Sequence, residues 1–108
     1  MSDRSRLELV VFDEQPTTQI LLAGDVDLSA GVDLEAAMEQ IATDPGVRRL
    51  EIDVALVDTC DAGGLKSLVA AALWAADRHV LLYLTQVRPA LQAVLDTAGV
   101  SGFLSLPE

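Results

Sequence analysis

The sequence predicts an α/β layered domain, and three observations predict it. Apolar residues alternate along short segments near residues 7–12, 17–23 and 49–57, which is the period of a strand. Apolar stripes at helical spacing follow in residues 29–43, 64–77 and 89–98. Turn residues separate them, among them Asp44-Pro45-Gly46 and Gly63-Gly64. The resulting order is ββαβαβαβ, with helices joining the later strands, the arrangement of a sheet covered by helices.

Each element has its own residues. Residues 1–5 are polar and read as a loose start. Leu7, Leu9 and Val11 alternate with Glu8, Val10 and Phe12 as a first strand. Turn residues 13–16 lead to a second strand over 17–23, and the pair reads as a hairpin closed by Gly24-Asp25-Val26-Asp27. Ser29 is a candidate N-cap for a helix to about Thr43, with Leu34, Ala37, Met38 and Ile41 as its core stripe. Residues 49–57 form a third strand with Leu50, Ile52 and Val54 on one face. The tight turn Asp61-Ala62-Gly63-Gly64 then opens a long alanine-rich helix, and Asp61 is placed to cap it. The unbroken apolar run of residues 80–84 fits an interior strand. Pro89 starts a third helix with Leu91, Val94, Leu95 and Ala98 inward and Gly99 as its stop, and residues 100–106 read as a short last strand.

A chain of 108 residues with half of them apolar suits one domain, 1–108, with a packed core. Its formal net charge of -10 disfavours nucleic acid and anionic membranes. Either the acidity favours a partner with a basic face, or it only keeps the protein soluble. Cys60 is the single cysteine, so no internal disulfide forms, which suits a reducing cytoplasm. No leader and no membrane-spanning apolar run is seen, and a soluble cytoplasmic protein is the simplest expectation.

The long helix is where a partner is expected. On a wheel of about 100° per residue, Leu65, Leu68, Val69, Ala72 and Ala76 form the core side. Gly63, Ser67, Ala70, Ala71, Trp74 and Arg78 form the other. That second side lacks the charges of a solvated face and carries the chain's one tryptophan. It reads as a contact face for a partner or a second copy of the chain, or else Trp74 lies under a loop of its own domain.

Catalytic chemistry finds little support. Gly63-Gly64-Leu65-Lys66-Ser67 lacks the glycine that a phosphate loop needs directly before its lysine. One cysteine and one histidine cannot make a typical zinc site, and His79 is not spaced to reach Cys60 or Ser67. Asp25, Asp27, Asp58 and Asp61 could gather as carboxylates, but strand-end and capping roles account for them. Cys60 is either a small core residue or a thiol tuned by a helix N-terminus. No cofactor and no metal is expected.

From about Leu7 to Leu106 the chain resembles the STAS domain family of anti-sigma-factor antagonists and sulfate-transporter tails. Gly24-Asp25-Val26-Asp27-Leu28 resembles the family's Gly-x-Leu-Asp segment, and Ile52-Asp53-Val54 its apolar-Asp-Leu strand. Asp61-Ala62-Gly63-Gly64-Leu65 aligns without gaps on its Asp-Ser-Ser-Gly-Leu signature. The late stretch Leu95-Asp96-Thr97-Ala98-Gly99-Val100 resembles its Leu-x-x-x-Gly-Leu segment. The resemblance implies a mixed sheet of four to five strands with helices packed against it. It implies a protein partner that is an anti-sigma factor, a serine kinase of the histidine-kinase-like ATPase type. In such antagonists the first signature serine is phosphorylated and binding ends, since phosphate adds nearly two charges to a docking surface.

Ala62 stands at that serine and Gly63 at the next, so the usual switch has no hydroxyl here. Thr59 and Ser67 carry hydroxyls nearby without occupying the phosphosite. STAS subunits that bind the ATPase of lipid-transporting ABC systems are similar too, with an Asp-Thr-Gly-Gly-Leu-like signature. The expectation is a non-catalytic binding module, antagonist-like, or alternatively such an ABC subunit. Asp27, Asp58, Thr59, Asp61, Ala62, Gly63, Gly64 and Leu65 would make the contact surface, with Ser67 and Trp74 at its edge. A homodimer is a further possibility on the same face.

Overall fold

The computed structural model describes residues 8–14, 17–42, 46–100 and 104. Its elements are β1 (Glu8–Glu14), β2 (Thr17–Val26), α1 (Ala30–Ala42), β3 (Arg49–Cys60), α2 (Ala62–Asp77), β4 (Leu81–Thr85) and α3 (Pro89–Ala98). The strands pair in sequence order, β1-β2-β3-β4. The β1–β2 hairpin is antiparallel, and β2, β3 and β4 run parallel. This is the expected mixed sheet, with four strands among the described residues. Of the segment expected as a fifth strand, Leu104 is described beyond Val100, and it is helical and fully buried. The expected loose start, Leu7 and residues 101–103 and 105–106 lie outside the described residues.

Alternation along the strands decides which face is covered. Ile20 and Leu22 of β2, Leu50, Ile52 and Val54 of β3, and Leu82 and Leu84 of β4 are buried in one cluster with the helices. The helices contribute Leu34 and Met38 from α1, Leu68, Ala72 and Ala75 from α2, and Leu91 and Leu95 from α3. In the expected stripes Ala37 and Ile41 of α1 are half-buried, while Val94 and Ala98 of α3 are exposed. On the opposite face the register lines up Phe12, Gln19, Glu51 and Tyr83 in one row. There Glu51 accepts from the Tyr83 hydroxyl at 2.6 Å and from Gln19 Nε2 at 3.2 Å.

Two expectations change. The apolar run ending in β4 read as an interior strand, yet among the described residues β4 is an edge. Its residues are apolar because both faces are used: Leu82 and Leu84 meet the helices, and Tyr83 is buried against the other face. Strand β2 also runs further than its apolar pattern, to Val26, alongside β3, which runs to Cys60. Parallel pairing holds the backbone extended through polar residues there, with Gly24 opposite Val57 and Asp25 opposite Thr59. Register irregularities between Leu21 and Ala23, and between Gly24 and Asp25, mark bulges in that stretch.

Candidate protein-docking site

The extra length of β2 and β3 brings the starts of α1 and α2 together. Val26 and Cys60 are register partners at the strand ends, and the chain leaves each one into a helix. Asp61 caps α2 as its sequence predicts: Oδ1 accepts from the Gly64 N–H at 2.8 Å. The Asp61 N–H donates to the Val26 carbonyl at 3.3 Å, tying the turn to β2. Position 64 has no room for a side chain, since a Cβ there would lie 1.9 Å from the Val26 carbonyl oxygen. Gly63 packs against Leu28, with a Cβ held to 3.0 Å from that residue's N and Cβ.

The start of α1 is capped by Asp27 and not by Ser29 as expected. Asp27 Oδ1 accepts from the Ala30 N–H at 3.1 Å and from the Ser29 hydroxyl at 2.7 Å. The Ser29 hydrogen bond, more than the backbone ones, holds the Asp27 carboxyl below its ordinary pKa, against a smaller opposing effect of desolvation. Serine lies inside the carboxylate's reach and serves it as a donor.

Ser67 ties the two helix starts. Its hydroxyl lies among three carbonyl oxygens, those of Gly63 at 3.1 Å, Asp27 at 3.3 Å and Leu28 at 3.5 Å. It is 6% exposed, so it is not the surface residue expected from the helical wheel. The wheel placed this side of α2 outside the core as a contact face, and α1 fills part of it. Ser67 and Ala71 are consequently buried, Trp74 is half-buried and Ala75 replaces the exposed Ala76 in the core. Trp74 sits beneath Arg78, whose guanidinium carbon is 3.9 Å from the ring centroid and whose Nη1 donates to the Trp74 carbonyl at 3.2 Å.

What remains outside is an apolar apex. Ala62 is exposed beside Leu28, which is 65% exposed, and Val32 one turn into α1 is 70% exposed. A shallow groove of about 460 Å³ joins Leu28 to Ala62, Gly63, Leu65, Lys66 and Val69. A second, of about 580 Å³, runs between α1 and α2 past Val32, Met38, Ala70 and Trp74, and Leu28 and Lys66 line both. Leu28 and Val32 were missed by the sequence reading. Their signal was an apolar residue on either side of a helix start, which the core stripe does not use.

The other predicted site residues flank this apex. Leu65 is half-buried in the first groove, and Asp58 is exposed at the end of β3. The Thr59 hydroxyl donates to Asp25 Oδ1 at 2.7 Å, across the parallel pair. Burial first, and then the Asp61 charge, pushes the Cys60 thiol up, the reverse of an activated thiolate. Cys60 packs half-buried against the core. His79 lies at the far end of α2 in a left-handed turn with φ 62°. Among the described residues no cluster of three acidic, histidine or cysteine side chains could hold a metal, and no helix is long and apolar enough to cross a membrane. The arrangement offers apolar contact area framed by carboxylates.

The fold and the signature turn can now be set beside known proteins. An anti-sigma factor antagonist from Mycobacterium paratuberculosis superposes with a TM-score of 0.74 at 20% identity, over 96% of this chain and 87% of that one. The Bacillus cell fate determinant SpoIIAA in its phosphorylated form gives 0.63 at 17%, over 94% and 89%. The murine anion transporter Slc26a9 gives 0.71 at 13%, over 82% of this chain and 15% of the transporter. No curated protein matches by sequence. At these identities the superpositions establish the fold. The family model described as "Mlab, STAS domain" matches residues 11–107, nearly all of the sheet, the capped turn and the helices just described. The chain therefore belongs to the STAS domain family.

Proposed function

We propose that this protein is a non-catalytic regulatory module of the anti-sigma-factor-antagonist type, which docks on a protein partner through the apex at the start of α2. The partner would be an anti-sigma factor, a serine kinase of the histidine-kinase-like ATPase type. One observation carries the reading: an exposed, apolar surface with no hydroxyl at position 62 stands where two capped helices begin, held by groups that cannot change without disturbing the fold. Leu28, Ala62 and Leu65 give the apolar contact. Asp27, Asp58 and Asp61 offer carboxylates around it, and Gly63 and Gly64 keep the turn low enough for close approach. The likeness to the antagonist structures supports the partner class.

With alanine at position 62 the docking surface stays in one chemical state. Thr59 is engaged by Asp25 and Ser67 is buried, so neither hydroxyl replaces the missing one. Ala62→Ser tests the reading. Incubated with ATP and its anti-sigma kinase partner, the variant should gain the mass of one phosphate at position 62. A variant that binds the kinase yet stays unmodified, or does not bind it, counts against the antagonist assignment.

The Gly63 contact favours a second reading, an STAS subunit that binds the ATPase of a lipid-transporting ABC system. The signature of those subunits has glycine where the antagonist signature has its second serine. Glycine is also what the 3.0 Å approach to Leu28 asks for at position 63. Co-purification with a nucleotide-binding ABC subunit in place of a kinase would select this reading.

A further inference from the structure

The longer groove, between α1 and α2, extends away from the apex and needs its own occupant. It is about 580 Å³ in volume and lined by Val32, Met38, Ala70 and Trp74, with Glu35 on the α1 side and Lys66 on the α2 side. Val32 in its wall is 70% exposed. Continuous apolar patches of this kind on a folded surface mark association sites. Neither Glu35 nor Lys66 makes an ion pair with any described residue.

We infer that the occupant is a second copy of this chain, packed groove to groove about a two-fold axis. Closed two-fold association requires that if residue i meets j, then j meets i. The groove meets that requirement with one acid and one base on its two walls. A two-fold axis in the plane of the groove lays α1 of one copy across α2 of the other. Glu35 then faces Lys66 of the other copy, and Lys66 faces its Glu35. The apolar residues between them are removed from water on both sides, with Trp74 at the centre as the aromatic anchor. A lysine in this groove would weaken docking of a basic partner, and a glutamate that of an acidic one. A second copy satisfies both. Because Leu28 and Lys66 also line the groove at the apex, the dimer and the partner compete for one surface, and self-association would hold the module in reserve.

Charge reversal separates this from a merely sticky face. Sedimentation velocity over a dilution series should show a dimer that dissociates on dilution. Glu35→Lys places like charges at both contacts, and so does Lys66→Glu. Each alone should raise the dissociation constant by about tenfold or more. Mixing the two variants in equal amounts should restore association to near the wild-type level, because every contact in the mixed dimer again joins lysine to glutamate. The mixture also controls for folding, since a misfolded variant rescues nothing, and circular dichroism on each variant confirms the fold. A wild-type protein that stays monomeric at millimolar concentration overturns the inference. So does a dimer indifferent to both reversals, or two folded variants that weaken association alone and do not rescue each other. The antagonist reading is tested separately, by phosphate gain in Ala62→Ser, so failure of one proposal is distinguishable from failure of the other.

Discussion

At the scale of single residues, the site depends on positions with no tolerance for change. Gly64 is the strictest, because any Cβ would sit inside the van der Waals radius of the Val26 carbonyl oxygen. Gly64→Ala must push α2 away from the end of β2, and should lower unfolding free energy by about 3 kcal/mol in a urea titration. Asp27 makes a pH-dependent contribution whose sign follows from its hydrogen bonds. The Ser29 hydroxyl and the Ala30 N–H favour the ionised carboxylate, so its folded pKa lies below the unfolded one. The stabilisation is present above the unfolded value, near 4, and disappears as pH falls through the lowered folded value. Asp27→Asn should therefore give a shallower loss of stability than wild type on acidification below about pH 4, followed by circular dichroism.

At the scale of elements, α1 and α2 are the pair that matters. They approach so closely that a Cβ at Gly31 would lie 2.8 Å from Ser67 Oγ. Gly31→Ala and Ser67→Ala should couple. The methyl group is resisted while the hydroxyl is present and is accommodated better once it is gone. A double-mutant cycle should show a favourable interaction of about 1–2 kcal/mol between the two changes. This pair also marks where the sequence stopped being readable. The strands, the Asp61 cap, the Pro89 start and the Gly99 stop were legible because each rests on residues adjacent in the chain. The burial of Ser67 and Ala71 was not, since it depends on α1 and the residues before it, distant in sequence: the Ser67–Asp27 contact spans 40 positions. Ser29 misled for the opposite reason: a better acceptor, Asp27, stood two residues before it. The signature turn itself was readable, and the exposed Leu28 beside it became visible only when β2 and β3 placed the two helix starts side by side.

For the molecule as a whole, Asp25, Asp27, Asp58 and Asp61 share one end of the sheet with the apolar apex. Docking there is expected to rest on burial of apolar area, with carboxylates orienting the partner. Leu28→Glu puts a charge into the centre of that contact. It should weaken capture of the natural partner by at least about thirtyfold in calorimetry while leaving the melting temperature near wild type, because the side chain is largely in solvent before binding. At the other end of the scale of order, β4 stops at Thr85 opposite Asp53, and β3 continues to Cys60 without it. Residues 54–60 thus have no strand beside them on that margin among the described residues, and α3 begins next to it, with Arg88 Nη1 donating to the Ala55 carbonyl at 3.2 Å. That guanidinium works as a doorstop. A stray extended peptide cannot zip onto this margin without first prising α3 away, so accretion into fibrils is steered to the hairpin side, where Val10, Val11 and Phe12 stand in water.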